Sequence, residues 1–195
     1  MPFFKSVMMK YLIAGLGNIG IEYENTRHNI GFEVLQNLAT EFESSFKTER
    51  LAKIARIKYK SRIFLLVQPT TYMNLSGRAV KYWMDAEKIG IENVLIVTDD
   101  LALDTGKLRM RKKGSPGSHN GLEHITETLG SNDFARLRFG IGNDFRRGFQ
   151  ADFVLSQWSK TERSIVDEKI SVAAKMVLSF GTLGVDRTMN LYNNK

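Results

Sequence analysis

The chain has 195 residues, 43% of them hydrophobic and a quarter charged, which suits one domain with a full core and leaves two cramped. Its 28 Lys+Arg against 21 Asp+Glu give a net charge of +7, read either as the footprint of a polyanionic partner, nucleic acid first, or as a solvating surface charge. The absence of cysteine excludes disulfides, thiolate zinc sites and cysteine nucleophiles, and no apolar run is long enough to span a membrane, so a cytoplasmic protein is expected.

Residues 1–9 lack a signal core or cleavage pattern and read as a loose N-terminal extension before a single domain over residues 10–195. Lys10 to Ala14 is a short apolar run halted by glycine, a buried strand. A glycine-bearing loop runs to Thr26. From His28 onward Ile30, Val34, Leu35, Leu38 and Phe42 mark one helical face. Ala52 to Tyr59 and Ile63 to Val67 predict two strands, Gln68 to Thr71 a turn, and Asn74 to Lys88 a helix. Val94 to Val97 predicts a strand ending at Asp99 and Asp100. Gly106 to Arg111 reads as a further strand, and His119 to Leu129 as a helix stopped by Gly130. Arg136 to Ile141 alternates basic and apolar residues, as an exposed strand does. Ala151 to Trp158 is short and apolar, and Ile165 to Phe180 carries the stripe of a last helix. Strands alternating with helices predict an α/β fold, a sheet with helices on both faces.

Four groups of residues carry chemistry. Gly15-Leu16-Gly17-Asn18-Ile19-Gly20 fits G-x-G-x-x-G after a strand, but the next helix starts several residues beyond the glycines. No acid-ending strand follows about 20 residues on, as a dinucleotide fold requires. His28, one of three histidines, falls where the loop gives way to a helix. With a pKa of about 6.5 it suits general-base work, provided a carboxylate fixes its tautomer. Asp99 ends a strand, as the glycine loop does, so the two converge if those strands are neighbours. His119 and His124 are the competing histidines, and no metal-binding spacing occurs. Asn18, Asn74 and Asn120 lie at loop-to-helix junctions, where an amide either caps the helix or donates to a ligand carbonyl. Arg109/Arg111 and Arg136/Arg138 sit two apart on strands, each pair on one face, with guanidinium forks that suit phosphate.

Taken together these residues resemble the bacterial-type peptidyl-tRNA hydrolase family. The resemblance runs through GLGN at Gly15–Asn18, EYENTRHNIGF at Glu22–Phe32, QPTTYMNLSGRAV at Gln68–Val80 and the run from Asp99. GSHNGL at Gly117–Leu122, LRFGIG at Leu137–Gly142 and FVLSQWS at Phe153–Ser159 complete it. It implies a monomeric, single-domain three-layer α/β sandwich with a twisted mixed sheet. It also implies hydrolysis of the ester joining a peptide or N-blocked amino acid to tRNA, without metal or cofactor. By motif, His28 matches the family's base and Asp99 its partner, with register alone choosing Asp99 over Asp100. Asn18 matches the position that tells blocked from free amino groups. Asn74 and Asn120 match substrate binders, Tyr23 and Tyr72 line the site, and Arg111 and Arg138 fall where the tRNA 5′-phosphate region is held. Ile19 departs from the family's proline, Ala102 and Asp104 from its Asp and Pro, and Ser118 from a common glycine. Two other readings stand beside this one: a non-catalytic RNA-binding relative of splicing-factor type, and the dinucleotide module.

Overall fold

The computed structural model describes residues 8–193. Residues 1–7 of the expected extension lie outside the described residues. Met9, also assigned to that extension, instead starts the first strand, paired with Arg62. Seven strands form one sheet: β1 (Met9–Gly15), β2 (Lys47–Glu49), β3 (Ala52–Tyr59), β4 (Arg62–Pro69), β5 (Val94–Asp100), β6 (Leu108–Arg111) and β7 (Ala135–Gly140). Their order is β2-β3-β4-β1-β5-β7-β6. β4, β1, β5 and β7 run parallel, while β2, β3 and β6 are antiparallel to their neighbours, so the sheet is mixed.

Six helices cover it: α1 (Ile30–Glu41), α2 (Ser76–Glu87), α3 (Asn120–Leu129), α4 (Gln150–Val154), α5 (Lys160–Leu183) and α6 (Val185–Tyr192). Alternation along β1 sorts the core into two halves. Tyr11 and Ile13 pack with Val34 and Leu38 of α1 and Ala173 and Val177 of α5. Leu12 and Ala14 face Ala79 and Val80 of α2 and Leu122 and Ile125 of α3. The three-layer α/β sandwich expected from the sequence is therefore the fold.

β1 sits between β4, which follows it on one side, and β5 on the other, so the chain reverses direction across the sheet at β1/β5. The crevice at the carboxyl ends of such strands is where α/β sheets bind ligands. Two glycines bring α1 into that crevice: a Cβ on Gly15 would lie 2.3 Å from the Gly31 carbonyl oxygen, and one on Gly31 2.4 Å from Leu16 N. Only glycine at both positions lets the first turn of α1 rest on the end of β1.

Three elements differ from the sequence reading. β7 is not an exposed strand: it lies between β5 and β6, and Arg136 is only 2% exposed. Its alternation reflects two faces with different covers, one packed by α5 and the other by loops, rather than one face in water. β2 is a fully exposed three-residue edge strand, too short and too charged to register as a periodic signal. α6 follows a break in the last helix at Gly184, whose φ of 85° is open to glycine. Just after α6, Asn193 accepts from Met110 N–H at 2.8 Å and donates to the Met110 carbonyl at 2.9 Å, pairing with edge strand β6 through a side chain. Among the described residues no helix is long and apolar enough to cross a membrane.

Candidate active site

A single turn of 3-10 helix, Arg27–Asn29, precedes α1 and carries His28 over the crevice. The residues flanking His28 fix that turn. Arg27 is buried; its Nη1 donates to the Ser156 hydroxyl at 2.8 Å and to the Gln157 carbonyl, and its Nη2 to both oxygens of Glu162 at 2.8 Å. Its guanidinium also lies over the rings of Phe153 and Trp158. Asn29 holds the Asn18 backbone from the other side, accepting from its N–H and donating to its carbonyl. These two residues tie the histidine turn to the α4–α5 junction and to the glycine loop.

His28 Nδ1 lies 2.9–3.0 Å from both carboxylate oxygens of Asp99. Asp99 is buried near the end of β5, and it is this acid of the pair that meets the imidazole. Asp100, the next residue, points the other way and forms an ion pair with Arg138 Nε. A second imidazole reaches the same carboxylate: His119 Nε2 is 2.9 Å from Asp99 Oδ1 and 3.0 Å from the Thr98 hydroxyl. His119 is the N-cap of α3, and its Nδ1 accepts from the N–H groups of Gly121 and Leu122 at 3.2 and 3.4 Å. Accepting at Nδ1 leaves the ring proton on Nε2, where it is given to Asp99. The His28 ring, 5.0 Å from that of His119, likewise gives Nδ1–H to the carboxylate and keeps the Nε2 lone pair for the cleft.

Electrostatics follow from this arrangement. Burial by itself lowers the pKa of His28, but the charge of Asp99 and its hydrogen bond outweigh burial and raise it above 6.5. Burial raises that of Asp99, yet the two imidazoles more than offset it and hold the carboxyl well below the usual range. Asp99 is therefore an anion at any working pH.

The site opens into a cleft of about 1000 Å³. Asn18, His28, Met73, Asp99, His119 and Asn120 are among the residues that line it. Arg111, Lys113, Arg138 and Arg147 supply cations along it, with the buried Arg136 behind them, and Phe145, Ala151, Val154 and Leu155 supply apolar lining. Of the expected site residues, the fold gathers Asn18, His28, Asp99, Asn120, Arg111 and Arg138 into this cleft. Tyr23, Tyr72 and Asn74 are outside its lining; Tyr72 and Asn74 are exposed on either side of Met73, which is inside.

The asparagines do not cap helices. The N-cap residue of α2 is Leu75, which offers no side-chain cap, and the Gly77 N–H is instead taken by Nδ1 of His124, from α3, at 3.0 Å. Asn120 is the first residue of α3, behind the capping His119. Three contributions are not evident in the sequence. His119 stands there only as a rival to His28, and nothing around it signals that it is a second partner of Asp99. Arg27 and Asn29 stand beside His28 in the motif but look like ordinary polar neighbours. Ser118, which departs from the family's glycine, has a φ of 64°, the left-handed region where glycine is at ease.

His28, Asp99 and His119 form the only cluster of potential metal ligands among the described residues, their donor atoms within 4.8 Å of one another. One nitrogen of each imidazole already holds its proton against the carboxylate, so a metal would have to displace two protons. The glycine loop is no cradle for a pyrophosphate either: the space beside Gly15 is filled by the Gly31 carbonyl, and that beside Gly17 by the Phe32 ring.

Comparison with known proteins shows the family. The family described as Peptidyl-tRNA hydrolase matches residues 12–195. The peptidyl-tRNA hydrolase of Cytophaga hutchinsonii is 56% identical over 187 residues, covering 96% of this chain and all of that protein. That of Phocaeicola vulgatus is 55% identical over the same extent. The crystal structure of peptidyl-tRNA hydrolase from Acinetobacter baumannii superposes with a TM-score of 0.87 at 34% identity, covering 92% of each chain. On its sequence, its fold and the extent of these matches, the chain belongs to the peptidyl-tRNA hydrolase family.

Proposed function

We propose that this chain frees tRNA by hydrolysing the ester between its terminal ribose and a peptidyl or N-blocked aminoacyl group, with His28 as the general base. The observation that carries the assignment of His28 is its Nδ1 on the Asp99 carboxylate at 2.9 Å, with the residue lining a basic cleft. The proton on Nδ1 is anchored, so Nε2 takes one from water. The water attacks the ester carbonyl, and Asp99 balances the imidazolium that forms. That proton then goes to the departing ribose oxygen. General-base help of this kind is worth about 10²–10⁴ in rate.

Asn18, Asn74 and Asn120 are read as amide donors to substrate carbonyls, one of them to the developing oxyanion, worth about 10²–10³. Tyr23 and Tyr72 are read as contacts to the peptidyl part. Arg111 and Arg138 are read as contacts to the phosphates of the tRNA 5′ end, which suits guanidinium forks. His119 is read as a second anchor for Asp99. The chain is taken to act as a monomer in the cytoplasm; light scattering on the purified protein checks the monomer.

The test is incubation with N-acetyl-aminoacyl-tRNA. Release of the blocked amino acid is expected, and His28→Ala should nearly abolish it while tRNA still binds. Binding without release, in the native chain, would mark an RNA-binding relative instead.

A further inference from the structure

Among the described residues Arg136 is the largest fully buried side chain, and no carboxylate among them balances it. Its Nη1 donates to the Ser115 carbonyl at 3.1 Å and its Nη2 to the Asn132 carbonyl at 3.0 Å. Its guanidinium lies over the Phe134 ring, 4.3 Å from the centroid. Burial and the neighbouring Arg138 both push its pKa down, so keeping this charge is costly. The two carbonyls stand on opposite sides of one element in the chain. Ser115 belongs to the loop that leads into α3, and Asn132 to the loop that leaves it. The fork therefore fixes α3 to β7 by both flanking loops.

We infer that Arg136 is a positioning residue: by holding both loops that flank α3, it sets where His119 meets Asp99 and where Asn120 enters the cleft. This rests on the hydrolase reading given above. His119 is the N-cap of α3 and Asn120 its first residue, so any slide of that helix carries both side chains with it. A lysine cannot replace the fork, since one ammonium on a flexible stem does not bridge two diverging carbonyls while lying flat on a ring. The role is distinct from that of Arg111, which is exposed at the cleft and free to meet phosphate.

Arg136→Lys keeps the charge and most of the buried stem. With N-acetyl-aminoacyl-tRNA, well below the melting temperature of the variant, kcat is expected to fall roughly 10- to 100-fold, while KM stays within about two-fold. The acid limb of the pH–kcat profile is expected to move to higher pH. Asp99, losing the His119 donor, then holds the proton on His28 more tightly. A merely structural role lowers the melting temperature without moving that limb. Unchanged kcat overturns the inference, as does a rise in KM with a shallower salt dependence and intact kcat, which would make Arg136 a phosphate contact. Should Arg136→Lys fail to fold, Phe134→Leu removes the ring under the fork and is expected to shift the same limb; an unshifted limb there overturns the inference too. Wild-type protein that releases no amino acid defeats the hydrolase reading, whereas an active wild type beside an unimpaired Arg136→Lys defeats this inference alone.

Discussion

Asn29 grips the backbone of Asn18 with both ends of its amide: Oδ1 accepts from the Asn18 N–H at 2.8 Å, and Nδ2 donates to the Asn18 carbonyl at 2.9 Å. Asn29 is buried, whereas Asn18 is not. The backbone at position 18 is thus satisfied from behind, which leaves the Asn18 side chain to the cleft. Asn29→Asp keeps the acceptor and turns the donor into a second acceptor facing a carbonyl. It is expected to cost about 1–3 kcal/mol of stability for the unmade buried bond, measured by urea unfolding. It should also lower turnover beyond what that loss explains, because the glycine loop loses its anchor. Unchanged turnover in a folded Asn29→Asp protein would separate the loop from the chemistry.

The raised pKa of His28 sets a pH dependence with two opposed signs. As the base, His28 must be neutral, so kcat/KM is expected to rise with pH through a value above 6.5 and to be lost below it. The pairing of imidazolium with Asp99 acts on stability in the other direction. Because folding raises the His28 pKa, that contribution is complete below 6.5 and fades as pH climbs through the folded value. Because folding lowers the Asp99 pKa, the same pairing is present above 3.8 and is lost only in stronger acid. A pH–rate profile and a pH series of melting temperatures should therefore cross, activity growing where the ion pair fades. An acid limb at or below the ordinary histidine value would show that Asp99 does not outweigh burial at His28.

Asp99→Asn tests the tautomer directly. The amide oxygen can still accept from His119, but its NH2 then faces His28 Nδ1 and demands an acceptor there. The ring proton moves to Nε2, and the lone pair that takes a proton from water is gone. Turnover is expected to fall by about 10³–10⁴, and the melting temperature to fall as well, because the stabilising pairing of the carboxylate with two imidazoles is lost. The tautomer itself is read from the nitrogen shifts of labelled histidine. A variant within about ten-fold of wild type would mean that the carboxylate is not what orients the base.

Much of this is legible in the chain. α1 to α3 come through because each buries one face, and β1, β4 and β5 because apolar cover on both faces leaves a continuous apolar run. The motif around His28 singles out the imidazole and the end of β5 its carboxylate, because strand ends at a chain reversal converge in space. What escapes are contacts made by single side chains across long separations. Nothing near His119 signals that its two nitrogens divide between a helix N-terminus and Asp99. Likewise Arg27, bonded to Glu162 135 residues away, is indistinguishable in sequence from a solvated arginine. β7 misleads for a related reason: basic alternation is the same whether guanidiniums meet water, as an exposed strand presents them, or loop carbonyls, as Arg136 does.

The ion pair between Arg138 and Asp100 changes what the loss of that arginine should do. Arg111 lines the cleft exposed, so Arg111→Ala removes one cation and is expected to flatten the slope of log K against log salt by about 0.9 for each phosphate that Arg111 neutralises. Arg138→Ala removes a cation and also bares the Asp100 carboxylate toward the incoming phosphates. Its penalty on tRNA binding is expected to exceed that of Arg111→Ala at low salt and to shrink faster as salt screens the repulsion. Adding Asp100→Asn to Arg138→Ala should then recover part of the affinity, whereas Asp100→Asn alone should leave Arg138 unpaired and tighten binding. Filter binding of uncharged tRNA across a salt series checks all four proteins. A double variant no better than Arg138→Ala would show that Asp100 stays turned away from the nucleic acid.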